Sequence, residues 1–190
     1  MGRVIFLEET NFEKSVEDTF KTLQTGGVVI IPTDTIYGFS SLQISSEKIR
    51  DIKKRDDKPF IYLISDIEQL SSLNIDKNQY LAILEKNWPA SITFLMKNIR
   101  EEKIGVRFPK NNFIKKIVDK LNEAIVSTSV NYSGEKVIND ADEIIKEFGD
   151  KTDLIVIDKN FTGDKASTIV DISCREHKII REGSAVFKCP

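Results

Sequence analysis

Three groups of residues in this chain have the types and spacing to do chemistry, and all three point to holding anions. Lys53, Lys54, Arg55 and Lys58 fall within six residues, "KKRDDK". Lys53 and Arg55, two apart where a helix is predicted to give way to a loop, can converge on one phosphate. The same charges would also offset the dipole of a helix C-terminus by a few tenths of a kcal/mol, and spacing alone does not choose between the two roles. The second group, "STSVNYSGE" (residues 127–135), follows an apolar run and carries Ser127, Thr128, Ser129 and Asn131. Such a density of hydroxyl and amide groups either satisfies its own loop or grips a polar ligand without adding charge. The third group is dispersed: Arg107 in "VRFP", Ser167 and Thr168 in "STIVD", and Arg181 in "IIREG". An arginine inside an apolar strand must be paired or must face a ligand, with Asp171 and Glu182 as candidate pairing partners.

What is missing narrows the chemistry further. No Ser-His-Asp set, H-E-x-x-H, Walker loop or G-x-G-x-x-G is present. The single histidine, His177, lies between Glu176 and Lys178 and reads as an exposed strand residue. Cys174 and Cys189 form neither a disulfide framework nor a zinc pair, which fits a reducing cytoplasm. No apolar run approaches the roughly 20 residues that span a bilayer, so no membrane association is expected. A net charge of −2 from 28 bases and 30 acids argues neither for nor against nucleic acid. Anion positioning is therefore better supported than catalysis by a side-chain nucleophile or base.

The elements that must position these groups are legible in outline. Val28 to Ile31 are four consecutive β-branched residues, as a strand covered on both faces requires, and Pro32 ends its pairing. The polar segment that follows, "PTDTIYGF", then sits at a strand end, where ligands of α/β proteins lie. A helix capped by Asn11 carries Val16, Phe20 and Leu23, and one capped by Ser45 or Ser46 carries Ile49 and Ile52. Strand "FIYLIS" precedes a helical region from 67 to 87. Strands "SITFLM" and "IGVRF", helix "NNFIKKIVDKLNE", strand "AIVSTS", helix "DADEIIKEF", and strands "LIVID", "STIVDIS" and "KIIRE" complete the pattern. Helices alternate with strands and closely spaced strands close the chain. This predicts one α/β domain over residues 1–190 with a twisted, mixed parallel and antiparallel sheet flanked by helices.

Taken in order, "PTDTIYGF", "KKRDDKP", "WPASITF", "VRFP", "STSVNYSGE", "STIVDI" and "IIREG" resemble the YrdC-type threonylcarbamoyl-AMP synthase family, over nearly the entire chain from about Gly26 to Gly183. The resemblance implies a sheet curled around a deep, positively lined cavity. It also implies synthesis of threonylcarbamoyl-AMP from L-threonine, bicarbonate and ATP with release of pyrophosphate. That is the first step towards N6-threonylcarbamoyladenosine at position 37 of tRNA. The family's K-x-R pattern falls on Lys53 and Arg55 and its S-x-N pattern on Ser129 and Asn131. By the resemblance, Lys53 and Arg55 are the catalytic pair, and Lys53, Arg55, Lys58, Ser129, Asn131 and Arg181 face ATP. Thr35, with Thr33 as its alternative, and Arg107, Ser127 and Ser167 face the threonine. Mg²⁺ is expected on the ATP phosphates and no dedicated metal ligands are expected. The resemblance is to the short, single-domain form, which relies on separate proteins to move the threonylcarbamoyl group to tRNA. Ala90 stands where the pattern has glycine after Trp-Pro, and Phe39-Ser40 where it has Leu-Gly. An RNA-binding module with a basic concave surface, or a non-synthase relative of the same fold, are the rival readings.

Overall fold

The computed structural model describes residues 2–54 and 59–189. Its strands are β1 (Arg3–Leu7), β2 (Val29–Ile31), β3 (Gly38–Ser41), β4 (Ile61–Leu63), β5 (Ile92–Lys97), β6 (Lys103–Arg107), β7 (Ile125–Ser129), β8 (Leu154–Asp158), β9 (Thr168–Asp171) and β10 (Lys178–Arg181). They form one sheet in the order β1-β8-β2-β3-β7-β4-β6-β5-β9-β10. Four pairings, β1 with β8, β8 with β2, β4 with β6 and β5 with β9, are parallel. The remaining five are antiparallel, so the sheet is mixed as the strand spacing predicts. The helices are α1 (Phe12–Gln24), α2 (Ser46–Lys53), α3 (Leu81–Asn87), α4 (Asn112–Leu121) and α5 (Ala141–Phe148).

Three local readings change. Arg3–Leu7, to which the sequence pattern assigns no element, is an edge strand that lies parallel to β8. Gly38–Ser41 is a full strand, β3, not the tail of a loop. Its serines lack β propensity, but Ser40 and Ser41 are buried and hydrogen-bonded, which stabilises the strand by tertiary context. The helical region from 67 to 87 is one 3₁₀ run over Ile67–Leu73, a 3₁₀ turn at Lys77–Gln79, and only then α3. Asp66 and Asp76 accept main-chain N–H bonds at 2.9 and 3.0 Å and start the two 3₁₀ segments afresh.

The register decides what each face carries. Because side chains alternate along a strand, cross-strand partners share a face. Ile30, Phe39, Val126 and Ile155 pack against Ile49 of α2 and Ile144 and Phe148 of α5. On the same side, Phe94, Val106 and Val170 meet Leu70, Ile83, Leu84 and Trp88. The opposite face is covered only in part. There Val29, Ile31, Leu63, Ile125, Leu154 and Val156 pack on α1 and α4 through Val16, Leu23, Ile114 and Val118. Farther along that face the side chains become Ser127, Ser129, Gly105, Arg107 and Thr93, and a cavity of about 540 Å³ stands over them. Between its exposed edge strands the sheet is thus closed by apolar packing except where small and polar residues keep a hollow open.

Candidate functional site

Two rows of paired residues build the cavity floor. In one, Ser127 of β7 is opposite Ser40 of β3 and Ile61 of β4, which is opposite Gly105 of β6, in turn opposite Leu95 of β5. In the other, Leu63 of β4 is opposite Arg107, Arg107 is opposite Thr93, Thr93 is opposite Ile169, and Ile169 is opposite Arg181. The second row explains how two arginines far apart in sequence come to one end of the hollow. Gly105 is needed in the first row because any larger residue would stand in the cavity. Its missing Cβ would meet only Leu95, Ile61 and Thr93 side chains at 3.4–3.8 Å.

Among the expected site residues, Thr35, Arg107, Ser127, Ser129, Ser167 and Arg181 line this cavity together. Thr33, Thr93, Thr128 and Lys103 line it too, and the sequence reading assigned none of them beyond naming Thr33 as the alternative to Thr35 and Thr128 within a hydroxyl-rich run. Thr93 was discoverable only through register, since it sits opposite Arg107 and its hydroxyl meets that of Ser167 at 2.9 Å. Most of the wall is apolar, including Tyr37, Phe60, Leu95 and Ile169. Among the described lining residues there are three cations, Lys103, Arg107 and Arg181, and no carboxylate.

Arg107 is 5% exposed. Its Nη1 donates to Thr35 Oγ1 at 3.0 Å, and its Nη2 lies against Asp34 Oδ1 as an ion pair. Neither Asp171 nor Glu182 takes this role: Asp171 instead holds Lys103 at 2.7 Å. Asp34 wins because the turn after β2 brings it beside β6, anchored through Oδ2 by Ser91 Oγ at 2.7 Å and Lys110 N at 3.3 Å. The Nε of Arg107 is buried and has no hydrogen-bond partner in the protein. Burial first, and the nearby charge of Arg181 second, push this guanidinium down to about 9. Since arginine keeps its proton in proteins, the shift reflects a poorly solvated cation that gains from any anion brought to it. Burial also lowers the Arg181 pKa. The Arg181 Nε and Nη2 both donate to Ser167 O, at 3.1 and 2.8 Å, fixing its fork across β9.

The two threonines divide the work of the turn. Thr33 Oγ1 accepts from Thr35 N at 3.1 Å and donates to Ile36 O at 2.7 Å, so it shapes the turn, while Thr35 Oγ1 meets Arg107. Lys53 and Asn131 do not line the cavity. Lys53 is 1% exposed, and its Nζ donates to Ser129 O at 2.5 Å, Asn131 O at 2.8 Å and Asn131 Oδ1 at 2.7 Å, beside the Phe39 ring. Ser129 Oγ donates to the same Asn131 Oδ1 at 2.7 Å. The Asn131 amide donates to Tyr132 O and Glu135 O, both at 2.8 Å. The ammonium thus anchors the whole 129–135 segment from beneath. Arg55 and Lys58 lie outside the described residues.

A family model described as "Telomere recombination", that of Sua5, YciO and YrdC, matches residues 21–183. The chain belongs to the Sua5/YciO/YrdC family. It is 24% identical over 185 residues to YciO of Escherichia coli, covering 90% of each chain. Over 192 residues it is 27% identical to a Methanocaldococcus jannaschii protein named "Putative threonylcarbamoyl-AMP synthase", covering 95% of this chain and 91% of that one. The crystal structure of E. coli YciO superposes with a TM-score of 0.84 at 22% identity, over 99% of this chain and 98% of that one. The crystal structure of P. abyssi Sua5 complexed with L-threonine gives 0.83 at 20% identity, over 96% of this chain and 57% of that one. The fold is therefore that of YciO and Sua5. Among the described residues no helix is long and apolar enough to cross a membrane.

The buried ammonium makes a prediction about stability. A lysine that only bound ligand would be dispensable to the fold, whereas Lys53→Ala takes a charged donor from Ser129 O, Asn131 O and Asn131 Oδ1 and leaves only the last with another, Ser129 Oγ, among the side-chain contacts described. The unfolding free energy is expected to fall by about 3 kcal/mol or more. Lys54→Ala, at an exposed neighbour, should stay within about 0.5 kcal/mol of the parent. Urea denaturation of both variants checks this, and equal midpoints would contradict it.

Proposed function

We propose that this protein is a threonylcarbamoyl-AMP synthase, joining L-threonine, bicarbonate and ATP with release of pyrophosphate. The observation that carries the reading is Arg107: a nine-tenths buried guanidinium, short of hydrogen-bond partners, that lines one cavity with Thr35, Ser127, Ser129, Ser167 and Arg181. A guanidinium edge suits a carboxylate, and the ring of hydroxyls suits the hydroxyl and amine of threonine. The family supports the same reading, since one relative bears the synthase name and Sua5 has been crystallised with L-threonine.

In this reading Arg107 and Thr35 hold the threonine carboxylate, and Ser127 and Ser167 face its amine and hydroxyl. The nucleotide lies towards Ser129 and the 129–135 loop. Asn131 shapes that loop, and Lys53 anchors it from below instead of reaching a phosphate directly. Arg55 and Lys58 follow Lys53 in sequence and supply further positive charge to the triphosphate. Arg181, beside Ser167, sits at the junction of the two substrates. The threonine amine captures bicarbonate as a carbamate with loss of water. A carbamate oxygen then attacks the α-phosphorus in line, and pyrophosphate leaves. Placement and charge neutralisation do most of the work in such a transfer, and no protein nucleophile is required. Among the described residues no three Asp, Glu, His or Cys side chains cluster to hold a metal ion. Mg²⁺ therefore belongs to the reading as part of the ATP substrate, keeping most of its waters. The product would pass to separate proteins that modify position 37 of tRNA, with RNA contact confined to that stage.

Two outcomes are expected. Pyrophosphate release should require threonine, bicarbonate and ATP together and fall to background when any one is omitted. Release indifferent to threonine would refute the synthase reading, as would RNA binding that falls steeply with salt in the absence of any pyrophosphate release. Gly105→Val should leave stability within about 1 kcal/mol, because Gly105 lines the cavity and a Cβ there comes no closer than 3.4 Å to its nearest neighbours. The same variant should lose threonine binding by titration calorimetry. Unimpaired binding would place the ligand elsewhere.

A further inference from the structure

Two of the three cations that line the cavity can be matched with a counter-charge among the described residues. Lys103 is held by Asp171 at 2.7 Å, and Arg107 is paired with Asp34. Among the described residues, Arg181 has main-chain and hydroxyl partners on Ser167 and no carboxylate. Among the described residues, three lining cations against two carboxylates leave one unbalanced positive charge.

Asp34 does not touch the space a ligand would occupy. It stands behind Arg107, 9% exposed at its side chain, and lines a second cavity of about 330 Å³ together with Asp158, Asp164 and Lys165. Its Oδ2 is fixed by Ser91 Oγ at 2.7 Å and Lys110 N at 3.3 Å, and Ser91 Oγ also reaches Asp34 O at 3.3 Å. A carboxylate so anchored is a permanent part of the wall and acts on the ligand only through the guanidinium. Removing its charge would leave two unbalanced guanidiniums at this end, each able to take one carboxylate.

We propose that Asp34 is a specificity-determining residue: by neutralising one of two neighbouring guanidiniums, it limits this end of the cavity to a single unbalanced positive charge. The site then favours amino acids with one carboxylate over acidic ones. This rests on the reading that Arg107 receives the amino-acid carboxylate. The α-carboxylate uses up the one net positive charge at this end, so a second carboxylate on the amino-acid side chain would add net negative charge beside Asp34. Specificity is a difference of affinities, so a fixed negative charge can reject acidic ligands while leaving threonine bound.

The test is the ratio of L-threonine to L-aspartate affinity, measured by titration calorimetry with aspartate also run as a competitor of threonine. Asp34→Asn keeps the shape and an acceptor for Ser91 but removes the charge. The ratio is expected to fall by roughly tenfold or more, because aspartate alone gains a second ion pair. Arg181→Gln removes the unbalanced charge and should move the ratio the other way, so the proposal remains testable should Asp34→Asn fail to fold. A loss of structure alone would weaken both ligands together and leave the ratio unmoved. An unchanged ratio in Asp34→Asn, or a shift of the same sign in both variants, overturns the charge assignment. Absence of threonine binding in the parent protein overturns the functional reading beneath it, and this proposal with it.

Discussion

A guanidinium taken almost wholly out of water has to be paid for by its surroundings, and the burial of Arg107 is the constraint on which the site depends. Desolvating an unpaired cation costs several kcal/mol, so the fold must bring it partners. Thr35 supplies one and Asp34 another, both from the six-residue connection between β2 and β3. That connection is in turn held by Thr33 within the turn and by Asn139, whose Oδ1 accepts from Tyr37 N at 3.1 Å while its amide reaches Gly163 O at 3.1 Å. Gly163 can be nothing larger, since a Cβ there would fall 1.9 Å from Thr35 O. Neither contact uses Nε, which is buried without a hydrogen-bond partner in the protein, and a ligand that meets it has most to contribute.

The sheet solves a related problem on a larger scale. A cavity in a small protein forfeits packing that its apolar neighbours would otherwise make. Here one face is packed from β8 across to β9 and the other only at the α1–α4 end, and the hollow lies where the strands carry serine, threonine, glycine and arginine. Tight packing on the far face, with Phe39, Phe94, Val106 and Val126 fully buried, backs a floor to which six strands contribute side chains. Lys53 does for the 129–135 loop what Asp34 does for Arg107: each is a charge placed behind a site residue to fix its geometry.

Much of this was legible before any coordinates. The β-branched run at 28–31 marked a doubly covered strand, and Val28 to Ile31 are all within 1% of complete burial. Arg107 and Arg181 stood out because arginine inside an apolar strand needs a reason, and both line the cavity. What was not legible depends on distance in sequence. That Asp34 pairs with Arg107 across 73 positions, or that Thr93 shares its row, follows from sheet order and register, which local spacing does not encode. β3 was missed because two buried serines read as loop, and their compensation comes from Ser127 of another strand and from a neighbouring carbonyl. Nor does anything in "KKRDDK" show that Lys53 turns inward to three oxygens.

The most direct test of the account is a crystal structure of this protein soaked with L-threonine. The account predicts the ligand carboxylate within hydrogen-bond distance of Arg107 Nε, with the Asp34 contact to Nη2 retained. Threonine seated away from Arg107, or an Asp34 swung off the guanidinium to make room for it, would contradict the arrangement.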